Sequence, residues 1–374
     1  MKKLRKAKLG LFLAVVSVLF VSCDKNIALP PAELYECCSY PRGDAGNTAF
    51  VDDRILPNLK ILWQAETDAL DPSSPTVYGG VVFVGLPNKK FVGYRAENGE
   101  KCADVWTDVP MKYPPIAGDG KLFYIGFGGW NRVGVYDITT GEKLWSRSCG
   151  NSETFPIVCD TTMVIFTLSG GVYGLRVSDG EKLWALRVKP GITVPPATDG
   201  GRIFFAAGDK IYCITAGGKI LWKVGIGKPV VGALTLAGGK ILAPTDDKIF
   251  SISAESGQIL GGFSACKDPA GAIATDGNII ICAERTGKVG AVSLKTGAPL
   301  WSVPLGDVIV APPIIVGDFV VACTYSGKIF LIDKNSGKVA DNTVIDGRIS
   351  RPPAYCRGKI FVSTQDGKMF CIRL

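Results

Sequence analysis

Apolar and polar positions along this chain fall into short runs of four to six residues, broken by Gly, Asp and Pro, and the runs repeat as a block. The clearest block is Tyr136-Asp137-Ile138-Thr139-Thr140-Gly141-Glu142-Lys143-Leu144-Trp145, in which one strand ends on an acid, a turn carries Gly, and the next strand ends on Trp. It returns as Leu175 to Trp184, Cys213 to Trp222 and Val292 to Trp301, with an isolated Ile61-Leu62-Trp63 near the start. Degenerate copies close at Ala103, Gly261 and Asp341. The closing positions 63, 103, 145, 184, 222, 261, 301 and 341 are spaced 38 to 42 residues apart. So regular a period is the mark of a propeller or solenoid.

Within each unit the order of elements is constant. A Pro-Pro or small-residue lead-in, as at Pro114-Pro115, Pro195-Pro196, Pro312-Pro313 and Pro352-Pro353, opens a short strand. A tight turn such as Asp119-Gly120 then leads to a second strand, a polar turn to a third, and a Gly-containing turn to the strand that carries the Trp. Asp-Gly and Gly-Gly pairs supply the positive φ of tight hairpins, and Pro is tolerated where the ladder has not begun. Four antiparallel strands per unit predict a propeller blade. The final unit stops at Leu374 after its third strand, whereas Leu59 to Ala65 is a fourth strand with no preceding three. Joined, the two complete one blade, which predicts an all-β, eight-bladed propeller over 59–374 locked by its own termini. Trp63, Trp145, Trp184, Trp222 and Trp301 are assigned to packing between neighbouring blades, the largest apolar surface the outer strand offers. Looser outer strands are expected where the Trp is lost.

Charge then narrows the function. The formal net charge is +8, but Lys2, Lys3, Arg5, Lys6 and Lys8 supply five of it, leaving about +3 over 23–374, which is no nucleic-acid footprint. There is no histidine, so His-based catalytic pairs and His-based zinc sites are excluded. Nor does the sequence carry an acidic cluster able to give Ca²⁺ its six to eight oxygens. Asp246-Asp247 is assigned to a turn.

The N-terminus carries its own signal. A basic stretch over 1–8 precedes the apolar run from Leu9 to Val21, too short to span a bilayer and laid out as a secretory signal peptide over 1–22. It ends Phe20-Val21-Ser22-Cys23, which resembles the lipobox of bacterial lipoproteins, with Cys23 as the acylated (palmitate-bearing) mature N-terminus and Phe20 departing from the usual Leu. Residues 23–58 hold Pro30, Pro31 and Pro41 and no sustained period. They read as a flexible tether of roughly 30–35 Å root-mean-square span. Export implies an oxidising compartment. Cys37-Cys38 and Cys149 with Cys159 are therefore candidate disulfides. The cysteines inside strands, among them Cys213, Cys282, Cys323, Cys356 and Cys371, are expected to be free, buried thiols because matching positions in different blades lie too far apart to bridge.

The pattern Asp-x-x-Thr-Gly-x-x-x-Trp at Asp137, Thr140, Gly141 and Trp145 resembles the repeat of pyrroloquinoline-quinone-type propellers and extends over 59–374. Two branches of that group differ in what they imply. The quinone-dependent dehydrogenases imply a catalytic Asp, a calcium site and long loops over a cofactor. The BamB-type lipoproteins of the outer-membrane β-barrel assembly machinery imply a lipid-anchored propeller without a cofactor. Blades near minimum length match the second branch. The expectation is a non-enzymatic scaffold for other envelope proteins, monomeric within a complex and held at the outer membrane facing the periplasm. No residue is assigned a catalytic, cofactor-binding or metal-ligating role. Arg348, Arg351 and Trp130 are the candidate partner contacts. The alternatives are a small quinone-dependent dehydrogenase and a surface lipoprotein that binds glycan or host protein.

Overall fold

The computed structural model describes Leu29 and residues 36–127, 132–264 and 267–374. Eight antiparallel sheets form the ring of an eight-bladed propeller. Each blade has strands A to D from the axis outward. In blade 1 these are Thr76–Tyr78, Val81–Leu86, Lys90–Arg95 and Lys101–Trp106. Blades 2 to 7 span 116–148, 157–187, 197–225, 235–263, 274–304 and 314–344. Blade 8 takes its first three strands from 354–373, and its strand D is Lys60–Glu66, paired antiparallel to Lys368–Arg373. The ring is closed by the two ends of the chain, as the truncated last unit predicts.

Strands B and C are covered by neighbouring blades on both faces, so they are continuously apolar: Val81–Leu86 is buried at every position. Strand D has one face to solvent and alternates, as in Lys182–Arg187. The A–B turns take positive φ where the sequence supplies Asp-Gly or Gly-Gly, at Asp119 and Gly120 (48° and 70°) and at Gly238 and Gly239 (55° and 72°).

The Trp residues join blade to blade. Trp63, Trp145, Trp184, Trp222 and Trp301 donate their indole N–H to carbonyls of Ala96, Val177, Ala216, Ala254 and Lys334, each in the C–D turn of the next blade, at 2.7–3.2 Å. The ring lies over the glycine of that turn. A methyl group on Gly180 would come within 2.5 Å of the Trp145 indole, and one on Gly99 within 2.7 Å of Trp63. A β-bulge immediately precedes the Trp position in all eight blades, including the three that lack the Trp.

The expected loosening at those three is not found, because each has a substitute. At Gly261 the seam is filled by Phe263, which covers Gly297 of blade 6. Between blades 7 and 8 there is no C–D turn to receive an indole, since strand D of blade 8 comes from the other end of the chain. Asp341 there accepts the N–H of Leu59 at 2.7 Å and caps the start of that strand. At Ala103 the substitute is Leu29. Its N–H donates to the Ile138 carbonyl at 2.6 Å, the position that takes an indole N–H elsewhere, and its side chain is 2% exposed beside Ala103 and Ile138.

The N-terminal stretch corrects a second expectation. Residues 36–53 are not a flexible tether but a belt that runs round the inside of the ring and meets the eight blades in order. Glu36–Cys38 pairs with strand A of blade 1. Ala117, Thr198, Leu236, Thr275 and Ile315, in blades 2, 4, 5, 6 and 7, donate their N–H groups to carbonyls of Ser39, Ala45, Gly46, Thr48 and Ala49 at 2.7–3.0 Å. The Tyr40 hydroxyl meets the backbone of Val158 in blade 3, and the Tyr355 hydroxyl of blade 8 donates to Asp53. Phe50–Val51 runs parallel to Ile315–Val316. Inner strands would otherwise leave edge donors without acceptors, and the belt supplies them.

Candidate functional site: the loop face and the axial channel

The D–A connections and the B–C turns share one face of the ring. Three successive D–A connections carry exposed side chains there: Val308 (48% exposed) before blade 7, Arg348 before blade 8, and Leu70 (70% exposed) before blade 1. Backbone hydrogen bonds tie them into one surface. Tyr325 N–H donates to the Val308 carbonyl and Ile349 N–H to that of Tyr325. Gln365 N–H donates to the Arg348 carbonyl and Asp71 N–H to that of Gln365, all at 2.7–3.1 Å. Arg348 is exposed and paired with Asp366 at 2.7 Å. That guanidinium, together with the Arg348 backbone N–H, holds the Asp366 carboxyl below the usual carboxylate range.

Arg351 does not join Arg348 on that surface. Three residues before strand A of blade 8, it turns to the axis, pairs with Asp71 at 3.2 Å and lines the central channel. The channel is a cavity of about 290 Å³ to which every D–A connection contributes. Its wall is apolar at Tyr113, Phe155, Val194, Val231, Val310 and Pro312, and Pro41 and Arg42 of the belt also line it. Lys112, Arg285 and Arg351 add three more cations, and no carboxylate is among its described lining residues.

Arg42 and Asn47 hold the belt across the ring. The Asn47 side-chain amide donates to the carbonyls of Pro196 and Leu234 at 2.6 and 3.0 Å and is fully buried. Arg42 Nη2 donates to the Ile273 carbonyl and Nε to that of Asn47 at 3.4 Å. Neither residue stands out in the sequence: Tyr40-Pro41-Arg42-Gly43-Asp44 has the composition of an ordinary turn.

Trp130 and Cys23 lie outside the described residues. Asp246 and Asp247 occupy the B–C turn of blade 5 and pair with Lys228. Among the described residues no group of three acidic, Cys or His side chains is placed to hold a metal ion. No helix among them is long and apolar enough to cross a membrane. Cys149 and Cys159 are both free, so the disulfide considered between them does not form. Cys213, Cys323 and Cys371 are also free, as expected, whereas Cys282 and Cys356 are disulfide-bonded, against expectation. The distance between matching strand positions rules out a bridge between blades at those positions only, and leaves other pairings open to Cys282 and Cys356.

Comparison with known proteins follows the same lines. The family model for outer membrane protein assembly factor BamB matches residues 57–186 and 169–374. The assembly factor BamB of Burkholderia pseudomallei is 25% identical over 328 residues, covering 80% of this chain and 84% of that protein. The crystal structure of BamB from Moraxella catarrhalis superposes with a TM-score of 0.72 at 14% identity, covering 85% of this chain and all of the other. A europium-containing methanol dehydrogenase superposes equally well, with a TM-score of 0.73 at 11% identity over 90% of this chain and 98% of its own. At those identities the likeness shows the propeller alone.

Proposed function

This chain belongs to the family of outer membrane protein assembly factor BamB, and on that premise we propose that it is a lipid-anchored, non-enzymatic scaffold that docks partner proteins during outer-membrane β-barrel assembly. The observation that carries the docking role is the loop-face surface of Leu70, Val308 and Arg348: two exposed aliphatic side chains beside a guanidinium, on connections locked to one another by backbone hydrogen bonds. Exposed apolar groups beside Arg, on rigid backbone, have the chemistry of interface anchors.

Cys23 is the proposed acylation site, with residues 1–22 as its signal peptide and the outer membrane, periplasmic side, as its location. The disulfides at Cys282 and Cys356 support an oxidising compartment. The dehydrogenase reading finds less support. A quinone site of the kind the repeat resembles needs carboxylates for Ca²⁺, and the described residues lining the channel include none.

The test is affinity capture from mildly solubilised envelopes with the wild-type chain and with a Leu70→Asp/Val308→Asp double variant. Recovery of a β-barrel assembly protein by the wild type, lost in the variant at unchanged Tm, is the expected result. Equal recovery by both would move the docking surface elsewhere. Dye-linked alcohol or sugar oxidation on adding quinone and Ca²⁺, with no assembly protein recovered, would overturn the scaffold reading.

A further inference from the structure

Arg42 is 4% exposed, yet its Nη1 is buried and has no hydrogen-bond partner among the described residues. A buried guanidinium left partly unsatisfied is costly, and Arg does not escape the cost by losing its proton at neutral pH. Burial pushes it down only to about 10, with Asp44 opposing the shift. Asp44 is not its hydrogen-bond partner: its carboxylate accepts the Thr48 N–H at 3.2 Å and the Thr48 hydroxyl. The other three cations of the channel each have a carboxylate outside the lining. Lys112 pairs with Glu153 at 3.1 Å, Arg285 with Asp268 at 3.4 Å and Arg351 with Asp71 at 3.2 Å. Arg351 Nε is a second buried donor without a partner. Four cations and an apolar wall therefore meet in one cavity of about 290 Å³ with no anion among its described lining residues, and two of those cations, Arg42 and Arg351, each carry a buried guanidinium donor without a partner.

We propose that the axial channel is a binding site for a carboxylate carried on a small apolar body, seated on Arg42 with its apolar part against Tyr113, Phe155 and Val194. A guanidinium is matched to a carboxylate by charge and by fork geometry, and such bonds are roughly twice as strong as neutral ones. Two sources share this chemistry: a free small carboxylic acid, and the terminal carboxylate of a polypeptide that ends in an apolar residue. The cavity volume takes a residue-sized group, not a folded loop. The site stands independently of the assembly reading, since it belongs to the channel and not to the loop-face surface.

The experiment is a calorimetric titration of the purified mature chain with N-acetyl-leucine and with N-acetyl-leucinamide. The acid is expected to bind saturably and the neutral amide at least about tenfold more weakly. Arg42→Gln is expected to abolish the difference. Because Arg42 also secures the belt, Arg285→Gln is the companion. Arg285 sits exposed at the wall with Asp268 as its ion partner among the described residues, so its loss should weaken the acid severalfold and leave Tm unchanged. A short peptide ending in leucine with a free carboxylate separates the sources: tighter binding than N-acetyl-leucine assigns the site to chain ends, and equal or weaker binding assigns it to free acids. If acid and amide bind equally, or neither binds, the proposal fails. Failure of the envelope capture would leave this titration untouched, and the reverse also holds.

Discussion

The indole N–H of Trp145 in blade 2 donates to the carbonyl of Val177 in blade 3 at 2.7 Å, across the seam between them. The same bond, to the carbonyl 32 or 33 residues further on, recurs at Trp63, Trp184, Trp222 and Trp301. Replacing Trp145 by Phe keeps much of the apolar cover but strands a part-buried carbonyl, so a loss of about 1 kcal/mol is expected. Gly180→Ala should cost about as much or more, because it adds a methyl group 2.5 Å from the indole at a residue with φ of +71°. Urea unfolding of both variants measures this. Gly200→Ala, at φ +89° but with no atom within 4 Å, separates the clash from the backbone term.

Leu29 stands in for the missing Trp at Ala103, so Leu29→Ala should lower stability by about 2 kcal/mol, the low end for a buried Leu. Exchange protection of amides in blades 1 and 2 should fall while that in blades 4 and 5 stays constant. In Ala103→Trp the new indole would compete with Leu29 for the Ile138 carbonyl. Increased proteolysis ahead of residue 36 is the expected sign. Unchanged cleavage would mean that Leu29 and a Trp do not share the seat.

Asn47 is buried, left-handed at φ +58°, and spans two blades through its amide. Asn47→Ala removes both bonds and worsens the backbone fit, for an expected loss of about 2–4 kcal/mol. The diagnostic is where the damage falls. Limited proteolysis should open the belt within 39–53 before the ring itself is cut.

The C–D turns should make the protein sensitive to acid. The Ser336 hydroxyl, with the N–H groups of Ser336 and Asn335, holds the Asp333 carboxyl below its ordinary value against some desolvation. Asp179 is lowered in the same way by the Glu181 N–H and by Arg176. For an acid whose folded pKa is depressed, the stability is present above its unfolded value, near 4, and is lost as pH falls through the folded one. Tm should therefore hold from pH 7 to about 5 and drop below about 4. Asp333→Asn should flatten part of that drop and lower Tm at pH 7.

Cys282 and Cys356 are disulfide-bonded, so a reductant should lower the unfolding free energy. The expected loss is about 2–4 kcal/mol per bridge broken. Free-thiol counting of the native chain should find neither residue reactive, and alkylation of either before reduction would contradict the pairing.

How much of this was legible in the sequence depended on how far the cause lay from the residue. Each blade is written locally: Asp119-Gly120 sets its turn and Trp145 marks its outer strand, so the period, the blade count and the closure through Leu59 to Ala65 could all be read directly. The belt is written nowhere locally. Ala45, Gly46, Thr48 and Ala49 each take a single bond from a different blade, and such a segment has no period and resembles a loop in composition. The same distance hid the channel. Arg351 could be suspected from the Pro-Pro lead-in, but Arg42 acquires its meaning only because Ile273 and Asn47 close around it.

Leu29 also has a consequence for how the molecule stands on its membrane. With Cys23 acylated as proposed, only six residue steps separate the lipid from a residue pinned between blades 1 and 2, a reach of about 20 Å at full extension. So short a leash gives the ring a fixed near side. The rim at blades 1 and 2 stays close to the bilayer, and the rim diametrically opposite, at blades 5 and 6, is held out into the aqueous space.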